Sequence, residues 1–559
     1  MGIFSQIQPQ HAAALLVVLG PVYISIACVY RLFFHPLSKY PGPLLAKVTD
    51  LYSVYHNYIG DIHIDALRCH EQYGTFVRYG PNKLINNSAT GYSDIYSYGK
   101  NIGKGQEYDT LAQAPISHRS ILSSTDKKEH GRKRRVIGQG FNETALQGYE
   151  SIIQSKILLF CEKLLDDGSS GASGGSQEWS SPRNMAEWCE CLSQTIFGRV
   201  SRCLTTSVQT GNYLSFDIMA NVVFSHPLDL LSRPDNRYIV HAIDDMMYRV
   251  GVLSQIPQLL KWRASKWIIA RGKSSGNRFV EKATQIAMAR LQGVALEGHR
   301  DAFQNLIDAK DSETGEGLPI PELLAETVAL IVAGSDTTAS AFAATFFYLS
   351  RNPEALIKLN EEVRSTFQDA SDIHSGPKLR SCTYLRACVD EAMRLNPPVS
   401  SPLWREVLVG GAEVDGEFIG QGVTVGTGMY ALQHNPEYFP RPFRYLPERW
   451  IESEHNPAEK IEEAKKAFSP FSIGSRMCAA EKMARLELVL TVAHVVWAMD
   501  LKIADGPIGR VGQGGLTMGP GREREDEFQV IGHFVTVGKD GPVLQFRKRG
   551  QSAWDASKH

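Results

Sequence analysis

Phe471-Ser472-Ile473-Gly474-Ser475-Arg476-Met477-Cys478-Ala479-Ala480 is the stretch whose reading decides this 559-residue chain. It sets one cysteine in a glycine-punctuated loop that runs into a helical pattern, Glu481 to Trp497. A thiolate near a helix N-terminus is favoured by the helix dipole and by unpaired backbone N–H groups, and it is a soft ligand suited to iron. Cys478 therefore reads as a metal ligand. Around it, Gly474 would let the backbone approach a flat cofactor, Phe471 would shield the sulfur from water, and Arg476 would reach an acidic group on the cofactor's rim. Taken alone, Cys478 reads equally well as a buried thiol beside a helix cap, since free cysteine is commonly buried.

Lys and Arg total 59 against 60 Asp and Glu, a balance that gives no electrostatic attraction to nucleic acid or another polyanion. The 9 cysteines contain no C-x-x-C pair, and only Cys189-x-Cys191 lie close together, which fits a reducing environment better than a disulfide framework or a zinc ribbon. From Ala12 to Tyr30 run 19 residues without a charge, extended by Leu32-Phe33-Phe34, nearly enough to span a hydrocarbon core of about 30 Å. Residues 12–34 therefore read as a membrane-spanning helix, with residues 1–34 as the anchor. Arg31, Lys39 and Lys47 all follow the run, so the remainder should face the cytosol. A cleaved signal peptide would have a basic start and a shorter apolar run. Residues 35–50, with His35-Pro36-Leu37 and Tyr40-Pro41-Gly42-Pro43, should form a stiff hinge and not a helix. Residues 51–549 form the globular part and 550–559 a tail.

Pro321 to Leu349 reads as one long helix, with Glu322 and Glu326 in its first turns and Asn352-Pro353 ending it. It is apolar on nearly all sides and should be buried in a large core, while Glu326, Ser335, Asp336, Thr337 and Thr338 argue against a second membrane span. Burying the acid and hydroxyls of Ala333-Gly334-Ser335-Asp336-Thr337-Thr338 is costly without partners, so their presence needs a purpose. Gly334 would admit a neighbour, and Thr337 would loosen the helical ladder with its hydroxyl. A satisfied polar kink is the plainer alternative. Glu391 and Arg394 are spaced for a buried pair. Glu297/Arg300 and Glu361/Arg364 share that spacing but read as surface pairs. His130 and Arg134 share a helix face inside a basic run that, alone, would be a solvated face. Residues 74–86 read as a hairpin about Gly80-Pro81-Asn82, residues 413–427 as a short sheet, and Phe528 to Phe546 as a terminal hairpin turning at Gly538–Pro542. Gly168 to Ser176 reads as a flexible loop between helices.

The spacing Phe-x-x-Gly-x-Arg-x-Cys resembles the haem-binding loop of the cytochrome P450 family, with Ala480 where the family usually has glycine. The acid–threonine helix, Glu-x-x-Arg and Pro447-Glu448-Arg449-Trp450 precede it in the family's order. The resemblance implies a mostly α fold with small β-sheets, the haem-thiolate fold, after a single N-terminal transmembrane helix. It implies haem b as cofactor, with Cys478 as axial ligand and Phe471, Gly474 and Arg476 around it. His130, Arg134 and Arg405 would serve the haem propionates. Asp336 would feed protons, and Thr337 would hydrogen-bond the oxygen being activated. Glu391, Arg394 and Arg449 would form a charge triad holding the proximal face. Substrate contacts would come from residues near 100–120, 205–260, 398–404 and 533–538.

The same resemblance implies a monooxygenase that inserts one oxygen atom from O2 into a C–H or C=C bond of an apolar small molecule. The overall look is similar to fungal members that tailor secondary metabolites, single-pass in the endoplasmic reticulum membrane with a cytosolic catalytic domain. Electrons would come from NADPH through a separate NADPH–cytochrome P450 reductase. The 81 residues after Cys478 are filled by one helix and strands, and no Gly-x-Gly-x-x-Gly strand–helix unit occurs elsewhere. Lys465, Lys466, Lys482 and Arg485 are the candidate docking cations. Two other classes carry the same loop: a haem-thiolate isomerase or dehydratase, which would not need Asp336 and Thr337, and a non-catalytic haem-binding membrane protein.

Overall fold

The computed structural model describes residues 9–112, 118–165, 179–185, 211–225, 228–261, 273–292, 301–538 and 540–549. The loop at 168–176, the pair Glu297/Arg300 and the tail at 550–559 lie outside the described residues. The domain is built along one helix, Ile320–Arg351, of 32 residues. Pro321 in its first turn needs no N–H partner there, Glu322 and Arg351 complement the two ends of the dipole, and Pro353 follows the cap Asn352. Helices Gly211–Phe224, Lys273–Leu291, Thr383–Leu395 and Glu481–Ala498 pack on it. Together they enclose a core in which Phe342, Phe346 and Phe347 lie with Val492, Trp497 and Phe528.

One strip of the axial helix escapes this packing. Ala329, Ala333, Gly334 and Thr337 keep partial access between neighbours that are buried. Their spacing of about four puts them on one face, so an internal space runs beside the middle of the helix.

Among the described residues, four small sheets flank the helices. In the five-stranded one the order is Phe76–Gly80, Lys83–Asn86, Thr424–Gly426, Arg405–Val407 and Ile102–Gly103. The first two strands are the expected antiparallel hairpin, Val77 opposite Ile85, and the central pairing of Lys83 with Thr424 is parallel. Ala412–Val414 and Glu417–Ile419 make a second hairpin. The terminal segment differs from its expectation. Its hairpin joins Val530–Gly532 to Thr536–Gly538 and turns at His533–Val535, not at Gly538–Pro542. The last strand, Val543–Lys548, instead pairs with Met499–Ile503 and Arg183–Asn184. The glycine–proline composition of 538–542 marks the passage between two sheets.

At the other end, Pro9–Val29 is a helix that widens into a π-type turn over Tyr30–Phe34. From Leu19 onward its apolar side chains have no core to enter; Tyr23, Ile24, Ile26 and Phe33 are exposed. The hinge is more structured than its prolines imply, because Leu44–Val48 forms a short helix within it. Three bonds close the hinge on the first hairpin: Arg31 Nη1 donates to the Val48 carbonyl at 2.5 Å, Arg78 Nη1 to the Arg31 carbonyl at 2.7 Å, and the Arg78 backbone N–H to the Pro41 carbonyl at 2.7 Å.

Candidate active site

Cys478 sits between a tight turn at Gly474–Arg476 and the helix Glu481–Ala498. Its backbone N–H donates to the Phe471 carbonyl at 2.8 Å, closing the loop. Burial raises the thiol's pKa, opposed by the Ala480 N–H, which donates to the sulfur, and by Arg134. Cys478 as a residue nevertheless keeps partial access, as do Phe471, Arg476 and Met477. Gly474 has φ +71°, and a Cβ there would lie 2.1 Å from the Tyr96 carbonyl, so the close approach it permits is to the chain's own backbone. Ala480 has φ −105°, an ordinary value for an L-residue, and the glycine usual at this position is not required by the backbone.

Basic side chains converge beside the loop without acids to match them. Arg134, from the helix Lys127–Gln139, donates to the Met477 carbonyl at 2.6 Å and the Cys478 carbonyl at 3.4 Å. Arg476 donates to the Ser124 carbonyl at 2.7 Å, and Arg405 to the Trp404 carbonyl at 2.8 Å and the Tyr108 hydroxyl at 2.5 Å. His130 is buried, and its pKa is pushed down to about 3 by burial and then by Arg476, Lys104, Arg134 and Arg405. Burial, Arg405 and Arg476 push Lys104 well down too. None of these five side chains forms an ion pair among the described residues. Cations that repel one another this strongly fit a site completed by an anionic group. The two carboxylates of a haem would answer these cations, and Cys478 would supply a thiolate for its iron. Lys104 had no motif to single it out in the sequence.

On the axial helix the Thr337 hydroxyl donates to the Ala333 carbonyl at 2.7 Å, as Thr327, Ser335 and Thr345 do to their own preceding turns, and the helix runs unbroken through all four instead of loosening. The space left by Gly334 is filled by Met219 of Gly211–Phe224: a Cβ at 334 would meet its thioether at 2.5 Å. Asp336 is buried with Oδ2 unpartnered, and burial raises its pKa to about 7. A second acid belongs to this group. Asp244, from the helix Tyr238–Gln255, also has a buried, unpartnered Oδ2, and its pKa is raised by burial, then by Asp336 and Asp245. No motif in the sequence marks Asp244.

Glu391, Arg394 and Arg449 meet in one buried network. Arg394 binds Glu391 bidentately at 2.9 Å through Nε and Nη2, and Arg449 Nε donates to Oε1 at 3.1 Å. The indole of Trp450 and the backbone N–H of Leu446 supply further donors at 3.1 and 3.0 Å. The pair Glu361/Arg364 is not formed: Arg364 turns to Asp500 at 2.9 Å and to the carbonyls of Val496 and Met499. The four candidate docking cations are mostly engaged at home. Lys465 pairs with Glu462, Lys466 with Glu463, and Arg485 with Asp390 and Glu481, while Lys482 is exposed.

A family model for cytochrome P450 matches residues 61–518. The chain is 40% identical over 530 residues to cytochrome P450 monooxygenase AKT7 of Alternaria alternata, covering 94% of this chain and 95% of that protein. It is 39% identical to cytochrome P450 monooxygenase atnE of Emericella nidulans, over 96% and 97% of the two chains. With cytochrome P450 monooxygenase apf7 of Gibberella fujikuroi it shares 38% identity, over 94% and 96%. Fold and site define a protein organised around a thiol-bearing loop, a cationic rim and a buried helix that carries an acid and hydroxyls. The chain belongs to the cytochrome P450 family, and it is an oxidoreductase of the haem-thiolate monooxygenase class.

Proposed function

We propose that Cys478 ligates haem iron, that His130, Arg134, Arg405 and Arg476, joined by Lys104, hold the propionates, and that the substrate is a small molecule of fungal secondary metabolism. The observation carrying this is the cationic cluster without ion pairs among the described residues, beside a partly accessible cysteine. When bound, haem supplies the oxidising chemistry that protein side chains lack. The chain's residues position and protonate. Thr337 keeps partial access on the axial helix with its hydroxyl on the Ala333 carbonyl, from which it can turn to hydrogen-bond the oxygen being activated. Asp336 and Asp244 share a proton near neutrality, because two buried carboxylates disfavour both being charged. That proton is the one delivered to oxygen. An isomerase or dehydratase would have no use for it.

Two measurements test this. Thr337→Ala should retain haem while product formed per NADPH falls about tenfold or more, the balance appearing as peroxide. In the wild type, coupling should fall as pH rises through about 7, where the Asp336 carboxyl loses its proton, and this limb should vanish in Asp336→Asn. Unchanged coupling in Thr337→Ala would reduce the hydroxyl to a detail of the helix.

We further infer that electrons arrive from NADPH through a separate flavin-containing reductase, and that the N-terminal helix holds the chain on the endoplasmic reticulum membrane. Purified protein given NADPH and substrate should stay inactive until reductase is added; turnover without it would sink that reading. A chain starting at residue 30 should leave carbonate-washed membranes yet bind haem. Retention on the membrane would transfer the anchoring to the domain itself.

A further inference from the structure

All four stretches expected to contact substrate meet around one small cavity. Its walls come from Glu107 and Tyr108, Ser254 and Gln255, Ser401, Pro402 and Trp404, and His533 and Phe534. Tyr108 ties this cavity to the rim of the haem site through its bond with Arg405, and it meets Phe534 edge-on at 6.2 Å. The free space is small, about 10 Å³, room for a single water or one polar group of a larger molecule.

The lining is not apolar. Glu107, Gln255 and Trp404 are more than nine-tenths buried, and each has an atom without a partner: Glu107 Oε2, Gln255 Oε1 and Trp404 Nε1. Gly105 makes room for the carboxylate, since a Cβ there would come within 2.4 Å of Glu107 Oε2. Glu107 Oε1 is already used by the Thr424 hydroxyl at 3.3 Å. Lys83, the nearby cation, is committed to the Gln255 carbonyl at 2.5 Å and to Asp50 at 3.3 Å. Glu107 and Gln255 also line a second, open pocket of about 410 Å³ with Arg31, Lys83 and Glu406, so they form the partition between outside and inside.

Two orphan acceptors and one orphan donor on residues that line a space for one group fit a hydroxyl: its hydrogen would go to Glu107 or Gln255, and its oxygen would accept from the Trp404 N–H. We propose that this cavity seats a hydroxyl of the substrate, so that the enzyme acts on an already oxygenated molecule and discriminates against its hydrocarbon or ether counterpart. A reaction that installs an alcohol, by hydration, carbonyl reduction or an earlier oxidation, must then precede this one. The inference rests on the monooxygenase reading and on haem lying beside Arg405.

The test uses haem-loaded full-length protein and matched probes, a panel of long-chain and terpenoid alcohols with their methyl ethers, followed by the spectral shift of the haem. Alcohols should bind about tenfold more tightly than their ethers, because a buried carboxylate left facing an ether oxygen keeps its unmet demand. Glu107→Leu should bring the two affinities together by weakening the alcohol and sparing the ether. Glu107→Gln, which keeps shape and one acceptor, should retain part of the preference. Gly105→Ala, which displaces the carboxylate without removing it, should lower it. A panel in which no pair separates in the wild type, whether or not anything binds, would mean that the cavity holds water only and would overturn the proposal. So would a preference that survives Glu107→Leu. Loss of the thiolate-type carbon monoxide spectrum would instead fault the haem reading, so the two failures are told apart.

Discussion

Cys478→Ala should abolish the thiolate-type carbon monoxide difference spectrum, and with it all NADPH-driven turnover. The expectation follows from the surroundings of the other described cysteines. Cys161 lies in the apolar core, where burial pushes its thiol up to about 12. Cys69 is raised to about 12 by burial and by Asp65, toward which its sulfur points at 3.8 Å. Cys382 and Cys388 are buried in the packing of the Thr383–Leu395 region, and Cys28 lies on the N-terminal helix Pro9–Val29. None of these adjoins the cationic rim, and a thiol held protonated is a poor ligand. Only Cys478 combines partial access, a sulfur-directed N–H and neighbouring guanidinium groups. A variant that kept the spectrum would assign the ligand to another cysteine and remove the basis for the whole site.

The second large effect concerns stability. Glu391→Ala leaves Arg394, fully buried, and Arg449 without their shared counter-charge, and stripping one partner from a buried ion network costs roughly 3–5 kcal/mol. Most of the variant should be recovered without haem, and what incorporates haem should lose it at a lower temperature than the wild type. Glu361→Ala supplies the control. It has the same spacing from an arginine, but Arg364 is held by Asp500 and two carbonyls, so the change should stay within about 0.5 kcal/mol. Equal losses in the two variants would show that the triad contributes nothing beyond an ordinary surface pair.

What could be read from the chain depended on how local the cause was. The cysteine loop was legible because its turn, its glycine and its N–H to sulfur contact are fixed within ten residues. The long axial helix declared itself through end signals and apolar periodicity. Glu391/Arg394 could be separated from two identical spacings only by order along the chain, since burial is invisible in a four-residue pattern. Where the cause was non-local the sequence misled or was silent. Gly538–Pro542 has the composition of a hairpin turn, but Val543–Lys548 finds a longer partner in Met499–Ile503, far back in the chain. Asp244 carries no motif and becomes meaningful only when its helix is laid against Asp336. Gly474 and Gly334 advertised close contacts but not with whom; Tyr96 and Met219 answer that in space. The candidate docking lysines looked like a positive patch because their acidic partners, one helical turn earlier, were not counted with them.

The bonds that join Arg31, Val48, Arg78 and Pro41 turn the N-terminal helix into a handle on the domain instead of a string. A flexible tether transmits tension only, whereas a helix whose last turn is bolted to a sheet transmits torque. Tilting it must roll the five-stranded sheet, and with it the outer pocket that Arg31 helps to line. The stiffness lies in two guanidinium groups, not in the count of prolines between them. Shortening the chain past Arg31 therefore removes a hinge pin. The buried Arg78 would then lose the carbonyl that receives its Nη1, a loss on the order of 1–3 kcal/mol, while a chain beginning one residue before Arg31 keeps the joint intact.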